Sequence, residues 1–269
     1  MPERSLDVEG GAAHRAADSL SGSAPGRRRS LRDEVLGRLV RAALDDQVAK
    51  SGRSALRVVD AGGGTGHLAV PIARMGHQVT VVDPSPDSLA ALERRAAEAR
   101  VTERVQAVQG DAVGLRDLLG EETTDLVLCH SVLEVVDDPQ VAVHEMARVL
   151  RPGGALSLVA ANRYAAVLAK VLGGHLDQAR AALDAADDPV EAGPTPRRFT
   201  PEQLRDLAEN AGLAVVDERG VRVFADLLPA GLADEPGATA ALLDLESQAS
   251  AHPKFRALSA QLHLLARRQ

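Results

Sequence analysis

The segment VVDAGGGTGHLA, residues 58–69, decides the fold of this chain. It follows an apolar run and brings glycine to positions 62, 63, 64 and 66, just before a stretch with helical spacing. Glycine lacks a Cβ, so it adopts positive φ and lets a ligand approach the backbone. A glycine-rich turn between a buried strand and a helix therefore predicts a ligand-binding loop, and the surrounding sequence must identify the ligand.

Strand-like and helix-like segments alternate around this turn. Short apolar runs predict strands at residues 55–61, 77–83, 104–112, 124–130 and 155–162. Helical spacing predicts helices at residues 31–48, 66–76, 85–100 and 139–154. Ser85 is the expected cap of the third helix, and Pro152 and Gly153 are expected to close the fourth. This alternation is typical of a parallel, doubly wound sheet.

The regular alternation of predicted strands and helices ends after residue 162. A helical stretch with a Gly-Gly break covers residues 165–183, and a helix capped by Thr200 covers residues 200–212. Strands are predicted at 213–228 and 255–268, with a helix at 237–250 between them. We predict an α/β fold, a Rossmann-like doubly wound seven-stranded mostly parallel sheet with helices on both faces and a last antiparallel strand. Residues 25–269 would form a single domain, with 162–200 as a helical lid or substrate insert.

Composition narrows the class of protein. The 269 residues are 45% apolar and carry a net charge of −7, so the chain can bury a core and is not basic as a whole. A single cysteine, Cys129, excludes a disulfide framework within the chain, and no metal site is predicted. Residues 1–24 are rich in Gly, Ala, Ser and charge, which predicts a disordered tail and no signal peptide. Since no apolar run is long enough to span a membrane, we expect a cytoplasmic protein.

Acidic residues follow the next two strands. Asp83 ends the second strand about 20 residues after the glycines, where an acid can accept hydrogen bonds from two ribose hydroxyls. Asp111 ends the third strand, where its carboxylate and the amide of Ala112 can contact an adenine ring. Because the carboxyl ends of parallel strands meet at one edge of a sheet, these residues predict an adenosine-shaped pocket.

The residues around the glycines limit which ligand the loop can bind. No lysine follows them, which excludes a Walker-type ATP loop. A dinucleotide remains an alternative, because residues 64–69 fit the relaxed G-x-G-x-x-A pattern. S-adenosylmethionine fits better, since it has no pyrophosphate and Asp60 can accept hydrogen bonds from its amino group.

Four motifs, DAGGGTG, VVDPS, QGDA and LRPGGALSL, together resemble the class I S-adenosylmethionine-dependent methyltransferases. Three further stretches, LVLCHSVLEVVDDP, LSLVAANRYAAVLAKVLGGHLD and RGVRVFADLL, resemble the bacterial tRNA 5-carboxymethoxyuridine methyltransferase family, whose members methylate the carboxylate of a modified wobble uridine. The resemblance implies most of the cofactor contacts. Asp60, Gly64 and Gly66 are added because they belong to the glycine loop or directly precede it. The predicted cofactor-binding residues are Arg32, Asp60, Gly62, Gly63, Gly64, Gly66, Asp83, Asp111, Ala112 and His130.

The chain departs from the family in two segments. The family commonly has an aromatic and a basic residue just before the first helix, whereas SGSAPGRRRS, at residues 21–30, has neither tyrosine nor lysine and is longer. GVRVFADL, at residues 220–227, stands where the family has GVRVFHDY. Both departures concern the acceptor more than the cofactor. The predicted acceptor-binding residues are Tyr164, Arg197, Arg198 and Arg222, because an arginine fork suits a carboxylate or phosphate. Aromatic residues are few, which weighs against RNA held by stacking, although arginine planes can replace rings.

The predicted reaction is an in-line displacement at the sulfonium methyl, with tRNA as the expected partner. An ionised carboxylate needs no general base, so no catalytic residue is assigned, and His130 and Arg222 are candidates for positioning. For a hydroxyl or amine acceptor, His130 would be the first candidate base. Glu134 is interpreted as a surface acid that begins a helix. Three alternatives stay open: a small-molecule O- or N-methyltransferase, a non-catalytic cofactor-binding protein and, more remotely, a nicotinamide oxidoreductase.

Overall fold

A computed structural model describes residues 25–185, 196–228 and 237–269, with side chains from residue 33 onward. The predicted disordered tail at residues 1–24 lies outside the described residues, and so does part of the predicted lid. None of the described helices is both long enough and apolar enough to cross a bilayer.

One seven-stranded sheet organises the described chain, in the order β3-β2-β1-β4-β5-β7-β6. Its strands are β1 (Arg57–Ala61), β2 (Gln78–Asp83), β3 (Val105–Gln109), β4 (Thr124–His130), β5 (Leu150–Ala161), β6 (Leu213–Val221) and β7 (Gln261–Arg268). The first five strands are parallel, and β7 lies antiparallel between β5 and β6. The predicted sheet is confirmed, and its order reverses between β1 and β4, where such sheets bind ligands.

Helices cover both faces of the sheet, as predicted. They are α1 (Pro25–Ser51), α2 (Ala69–Arg74), α3 (Pro86–Glu98), α4 (Leu115–Leu119), α5 (Pro139–Val149), α6 (Arg163–Leu172), α7 (Leu176–Asp184), α8 (Pro201–Asn210), α9 (Ala238–Ala251) and α10 (Pro253–Arg256). Apolar residues of α1, α2 and α3 pack on the face that carries Val58 and Leu128. Those of α4, α5 and α8 pack on the opposite face, which carries Val59 and Val127. Successive strand residues thus alternate between two cores, because β side chains alternate in direction.

Caps fix where the helices begin. The Ser85 hydroxyl accepts a hydrogen bond from the Ser88 amide (3.2 Å) at the start of α3, as predicted. Thr200 caps α8 in a reciprocal arrangement with Gln203, and Pro201 occupies the first helical position. The predicted Gly-Gly break separates α6 from α7.

Several predicted boundaries are wrong, and α1 begins at Pro25 instead of Leu31. Helix α5 ends at Val149, and the segment RPGG that was expected to close it belongs to β5, because Leu150 already pairs with Thr124 of β4. Strand β6 ends at Val221, where the next residue, Arg222, has a φ of +59°. Strand β7 begins only at Gln261, because Pro253 starts the short helix α10.

Candidate active site

The glycine loop after β1 is tightly enclosed by its neighbours. Gly62 and Gly66 have left-handed φ values of +71° and +76°. A Cβ on Gly62 would overlap Val132, and a Cβ on Gly66 would overlap Leu92. Glycine is therefore required at both positions by conformation and by space.

Asp83 ties this loop to the end of β2. Its side chain accepts hydrogen bonds from the amides of Gly64 (2.9 Å) and Ser85 (2.9 Å), one on each carboxylate oxygen. Asp83 is buried, so this geometry is well held. Since each carboxylate oxygen has a second lone pair, Asp83 can still accept from two ribose hydroxyls. The structure thus places Asp83 beside the glycine loop, as predicted. Its role in ribose binding stays a prediction.

Asp60 lies under the same loop. A Cβ on Gly63 would overlap the Asp60 carboxyl group, so Gly63 makes room for it. Burial, followed by the nearby carboxylate of Asp83, raises the pKa of Asp60 to about 7. A cationic ligand group would favour the ionised form and lower that pKa again. Two carboxylates beside one loop therefore suit the ammonium and hydroxyls of S-adenosylmethionine and disfavour a pyrophosphate.

Asp111 follows β3 and orders its own turn. Its Oδ1 accepts hydrogen bonds from the amides of Val113 (3.1 Å) and Gly114 (3.0 Å), while Ala112 is buried against the core. The Asp111 side chain is exposed at the same edge of the sheet as Asp83. This placement agrees with the predicted contact to an adenine ring, which stays a prediction.

Glu134 lies in the turn after β4, and its surroundings differ from those expected from the sequence. Glu134 is buried and belongs to a turn, so its interpretation as a surface acid that begins a helix is wrong. Its carboxylate accepts a hydrogen bond from the amide of Ala161 (2.8 Å), and its carbonyl accepts one from the amide of Arg197 (2.9 Å). Glu134 therefore joins the ends of β4 and β5 to the segment before α8.

The candidate arginines have different surroundings. The guanidinium of Arg197 donates to the backbone carbonyls of Val136 and Asp137, which gives it a structural task in the turn after β4. Arg198 is exposed. Arg222 pairs with Asp226 (2.9 Å) just beyond β6. Arg198 and Arg222 are thus better placed than Arg197 to contact an acceptor.

The loop that carries Arg222 is held by a residue that the sequence analysis missed. Glu246 of α9 is 2% exposed, and its carboxylate accepts from the amides of Val223 (2.8 Å), Phe224 (2.8 Å) and Ala225 (2.7 Å). Three charge-assisted bonds offset the cost of burying the charge. The signal in the sequence is an acid on the apolar stripe of α9, one helical turn after Leu242.

Asn162 was also missed, although it organises the start of α6. Its side-chain amide donates to the carbonyls of Ala257 (2.8 Å) and Ser259 (2.7 Å), and its oxygen accepts from the amide of Tyr164 (3.0 Å). Tyr164 is thereby fixed at the first turn of α6, beside the carboxyl end of β5.

The sheet brings most predicted residues to one edge. The glycine loop, Asp60, Asp83, Asp111, Ala112 and His130 lie at the carboxyl ends of β1 to β4, while Tyr164 and Arg222 follow β5 and β6 at the same edge. The side chain of Arg32 lies outside the described residues. Over residues 25–185, 196–228 and 237–269, no group of three His, Cys, Asp or Glu side chains is arranged to hold a metal ion.

The sequence is similar to those of known methyltransferases. A family model described as "Methyltransferase domain" matches residues 59–158. The chain is 32% identical over 225 residues to the tRNA 5-carboxymethoxyuridine methyltransferase of Escherichia coli K12, covering 84% of this chain and 85% of that protein. It is 38% identical over 130 residues to a ubiquinone biosynthesis O-methyltransferase of Xanthomonas oryzae, covering 47% of this chain and 52% of that protein.

Solved structures agree on the fold. The [4+2]-cyclase SpnF superposes with a TM-score of 0.56 at 21% identity, covering 86% of this chain and 81% of that one. A SAM-dependent methyltransferase from Methanosarcina mazei superposes with a TM-score of 0.53 at 17% identity, covering 80% of this chain and 93% of that one. At these identities the likeness concerns the fold alone, and activity must be argued from the site.

Proposed function

Because this chain belongs to the tRNA 5-carboxymethoxyuridine methyltransferase family of class I S-adenosylmethionine-dependent methyltransferases, we propose that it methylates the carboxylate of a 5-carboxymethoxyuridine-type wobble nucleoside in tRNA. A tRNA acceptor would place the reaction in the cytoplasm, which is also the location expected for the protein.

The extent of the similarity carries this proposal. Similarity to the E. coli tRNA enzyme covers 84% of the chain, whereas similarity to the ubiquinone O-methyltransferase covers 47%. Because the longer match leaves at most 44 of the 269 residues outside it, it includes β5 and β6, the strands that precede Tyr164 and Arg222. Relatives that share only the cofactor half carry no information about the acceptor.

The residues around the glycine loop fit the cofactor, which supplies an activated methyl group on its sulfonium. Asp60 would bind its ammonium, and Asp83 its ribose hydroxyls. The loop itself is close-packed, so its amides stay fixed while the cofactor binds. The contribution of the chain is alignment and exclusion of water at the transfer site, and alignment alone lowers the barrier by several kcal/mol, about 7 or more in favourable cases.

The other half of the edge supplies cations for the acceptor. Arg222 is held beside Asp226, and its side chain is 27% exposed. Arg198 is exposed at the end of the predicted lid. Because the acceptor carboxylate is already ionised at neutral pH, these cations need only bind and orient it. We assign this role to Arg222 and a phosphate contact to Arg198.

A small-molecule acceptor is the second candidate, and composition favours it. The chain has one tyrosine, three phenylalanines and no tryptophan, while single-stranded RNA is commonly held by stacking on rings. Ala225 and Leu227 also stand where the resembling family has histidine and tyrosine.

Transfer of labelled methyl from S-adenosylmethionine to tRNA tests the proposal. The tRNA comes from a strain deleted for this gene, and nucleosides are analysed before and after mild alkali. The proposal predicts label in a wobble uridine that alkali releases as methanol, because esters hydrolyse and N-methyl groups do not. Label that resists alkali, or no label from a protein shown by calorimetry to bind the cofactor, would overturn it in favour of another acceptor. Asp83→Ala, which we expect to lose cofactor binding, is the negative control.

A further inference from the structure

Two of the three phenylalanines meet at the protein surface. Phe199 is fully buried in the core, whereas the rings of Phe224 and Phe255 lie edge to face with centroids 5.7 Å apart. The ring of His252 packs edge to face on Phe255, with centroids 5.0 Å apart. Phe224, His252 and Phe255 together form the ring cluster. Phe255 is 43% exposed despite these contacts, so part of its ring surface stays open to a ligand.

Hydrogen bonds attach the ring cluster to the edge of the sheet that carries the candidate site. Asn162, which follows β5, donates to the carbonyl of Ala257 (2.8 Å), just beyond α10. Gln261, the first residue of β7, donates to the hydroxyl of Ser131 (3.0 Å), which directly follows β4. Since β4 and β5 end at the same edge as the glycine loop, α10 and the ring cluster lie at that edge as well.

The backbone that carries Phe224 is firmly held. The buried carboxylate of Glu246 accepts hydrogen bonds from the amides of residues 223–225, and the carbonyl of Arg222 accepts one from the amide of Ala260 (3.0 Å). Arg222 has a left-handed φ of +59°, which a non-glycine residue keeps only where its surroundings enforce it. The turn therefore holds the Arg222 cation and the Phe224 ring in fixed positions.

The charges around the ring cluster suit an anionic ligand. Lys254 of α10 is exposed beside it. Two acids that contact the same turns are already paired, Asp226 with Arg222 (2.9 Å) and Glu218 with Arg256 (2.6 Å). An open aromatic surface beside cations is typical of sites for single-stranded nucleic acid, because bases stack on rings while phosphates pair with lysine and arginine.

Exposed apolar side chains extend the surface around the ring cluster. Leu227 is 45% exposed and Leu258 is 47% exposed. Their amides donate to the carbonyls of Phe224 (2.8 Å) and Phe255 (3.0 Å). A second copy of the chain is the alternative ligand for such a surface. In a two-fold contact each patch faces itself, so Lys254 would be brought towards its counterpart, and like charges disfavour that contact.

We propose that the ring cluster is a stacking platform for an unpaired nucleobase of the acceptor RNA, and that Lys254 binds a neighbouring phosphate. Phe255 supplies the open ring surface, while Phe224 and His252 pack against that ring. The platform rests on the proposed function, since it takes the acceptor to be an RNA. The anticodon loop of tRNA is single-stranded, and proteins that recognise RNA commonly stack the unpaired bases of such loops on aromatic rings.

Fluorescence anisotropy with a labelled anticodon stem-loop RNA measures the platform without methyl transfer. The full-length protein is saturated with S-adenosylhomocysteine. Phe255→Leu keeps an apolar side chain but should raise the Kd about tenfold, which corresponds to about 1.4 kcal/mol and to one stacked base. Phe255→Trp should keep the wild-type Kd. The matched control is Met75→Ala, which is 37% exposed just before β2 at the opposite edge of the sheet and should leave the Kd unchanged.

An RNA without bases in its loop tests the stacking itself. The same stem-loop with abasic residues throughout the loop keeps its phosphates. It should bind the wild type at least about tenfold more weakly, and Phe255→Leu should weaken its binding no further, because the two changes remove the same contact. Lys254→Ala should instead weaken the binding of both RNAs and reduce the slope of log Kd against log salt by about 0.7, the value for one phosphate of a single strand.

The outcomes separate the platform from the proposed function. An unchanged Kd in Phe255→Leu, equal losses on both RNAs or no binding of the stem-loop would overturn the platform. A dimer in sedimentation that Phe255→Leu dissociates, with unchanged RNA affinity, would overturn it in favour of a second copy. If the RNA binds through Phe255 but tRNA accepts no methyl group, the proposed function fails and the platform stands. If Phe255→Leu methylates tRNA with unchanged KM and kcat, the platform fails and the proposed function stands.

Discussion

Replacing Asp60 with asparagine is expected to remove a pH dependence from cofactor binding. Asp60 lies buried beneath the glycine loop, and burial, followed by the Asp83 carboxylate, raises its pKa to about 7. A ligand ammonium binds the ionised carboxylate, so binding below this pH must first expel a proton.

The size of the effect follows from that pKa. The difference between the pKa of about 7 in the folded protein and the ordinary pKa of 3.8 corresponds to about 4 kcal/mol of folding free energy, which is lost when the ionised Asp60 is buried. Because the pKa of Asp60 is raised in the folded state, the ionised carboxylate destabilises the fold by this full amount above pH 7. The destabilisation disappears as the pH falls towards 4. Ligand affinity moves in the opposite direction and should fall about tenfold per pH unit below 7, as the ionised fraction does.

Calorimetry with S-adenosylhomocysteine between pH 5 and 7 measures the dependence, since the α-amino group of that ligand stays protonated in this range. At pH 6 the wild type should release close to one proton per ligand bound, as seen from titrations in buffers of different ionisation enthalpy. Asp60→Asn should bind weakly at all these pH values and release none. Its free energy of unfolding, relative to the wild type, should rise by about 2–3 kcal/mol between pH 5 and pH 8.

A matched control is Asp87→Asn, an exposed acid in the first turn of α3. It should keep the pH dependence of the wild type. Binding by the wild type that is independent of pH, or the same pH dependence in Asp60→Asn, would refute the assignment of Asp60 as the ammonium ligand.

Four further substitutions test other parts of the site. Gly66→Ala should lower stability by more than Gly52→Ala, because both have left-handed φ but open space surrounds Gly52 alone; equal shifts in thermal midpoint would contradict the close packing of the loop. Glu246→Ala should cost about 2–4 kcal/mol of unfolding free energy in denaturant titrations and raise the KM for the acceptor, since three amides lose their acceptor. Arg222→Ala should leave cofactor affinity unchanged in calorimetry and lower the rate of methyl transfer; loss of the fold would make it structural. Asp83→Ala should weaken cofactor binding strongly by the same method, and unchanged affinity would exclude ribose binding.

The positions of the residues around the glycine loop could be predicted from the sequence because their determinants are local. Each contact comes from the end of one strand, and strand ends are readable from apolar runs and the turn residues that follow them. The glycine loop and Asp83 are examples, separated by one helix and joined by a hydrogen bond of 2.9 Å. Parallel strands place such residues at one edge whatever the details of packing.

The surroundings of the predicted acceptor residues could not be predicted from the sequence, because tertiary contacts decide them. The sequence predicts Arg197 as an acceptor ligand, whereas its guanidinium donates to backbone carbonyls of the turn after β4. The hydrogen bond between Ser157 of β5 and His263 of β7 (3.0 Å) joins residues that are 106 positions apart, so no local sequence pattern predicts it. The buried position of Glu246 could have been predicted, because it is an acid on the apolar face of α9.

The wobble nucleosides of tRNA from cells with and without this gene test the central claim most directly. Mass spectrometry should find the free carboxymethoxy acid in the deletion strain and its methyl ester after complementation with the wild-type gene. Complementation with Asp83→Ala should leave the acid. The same nucleosides in both strains, with the ester formed in the absence of the gene or never formed, would contradict the account.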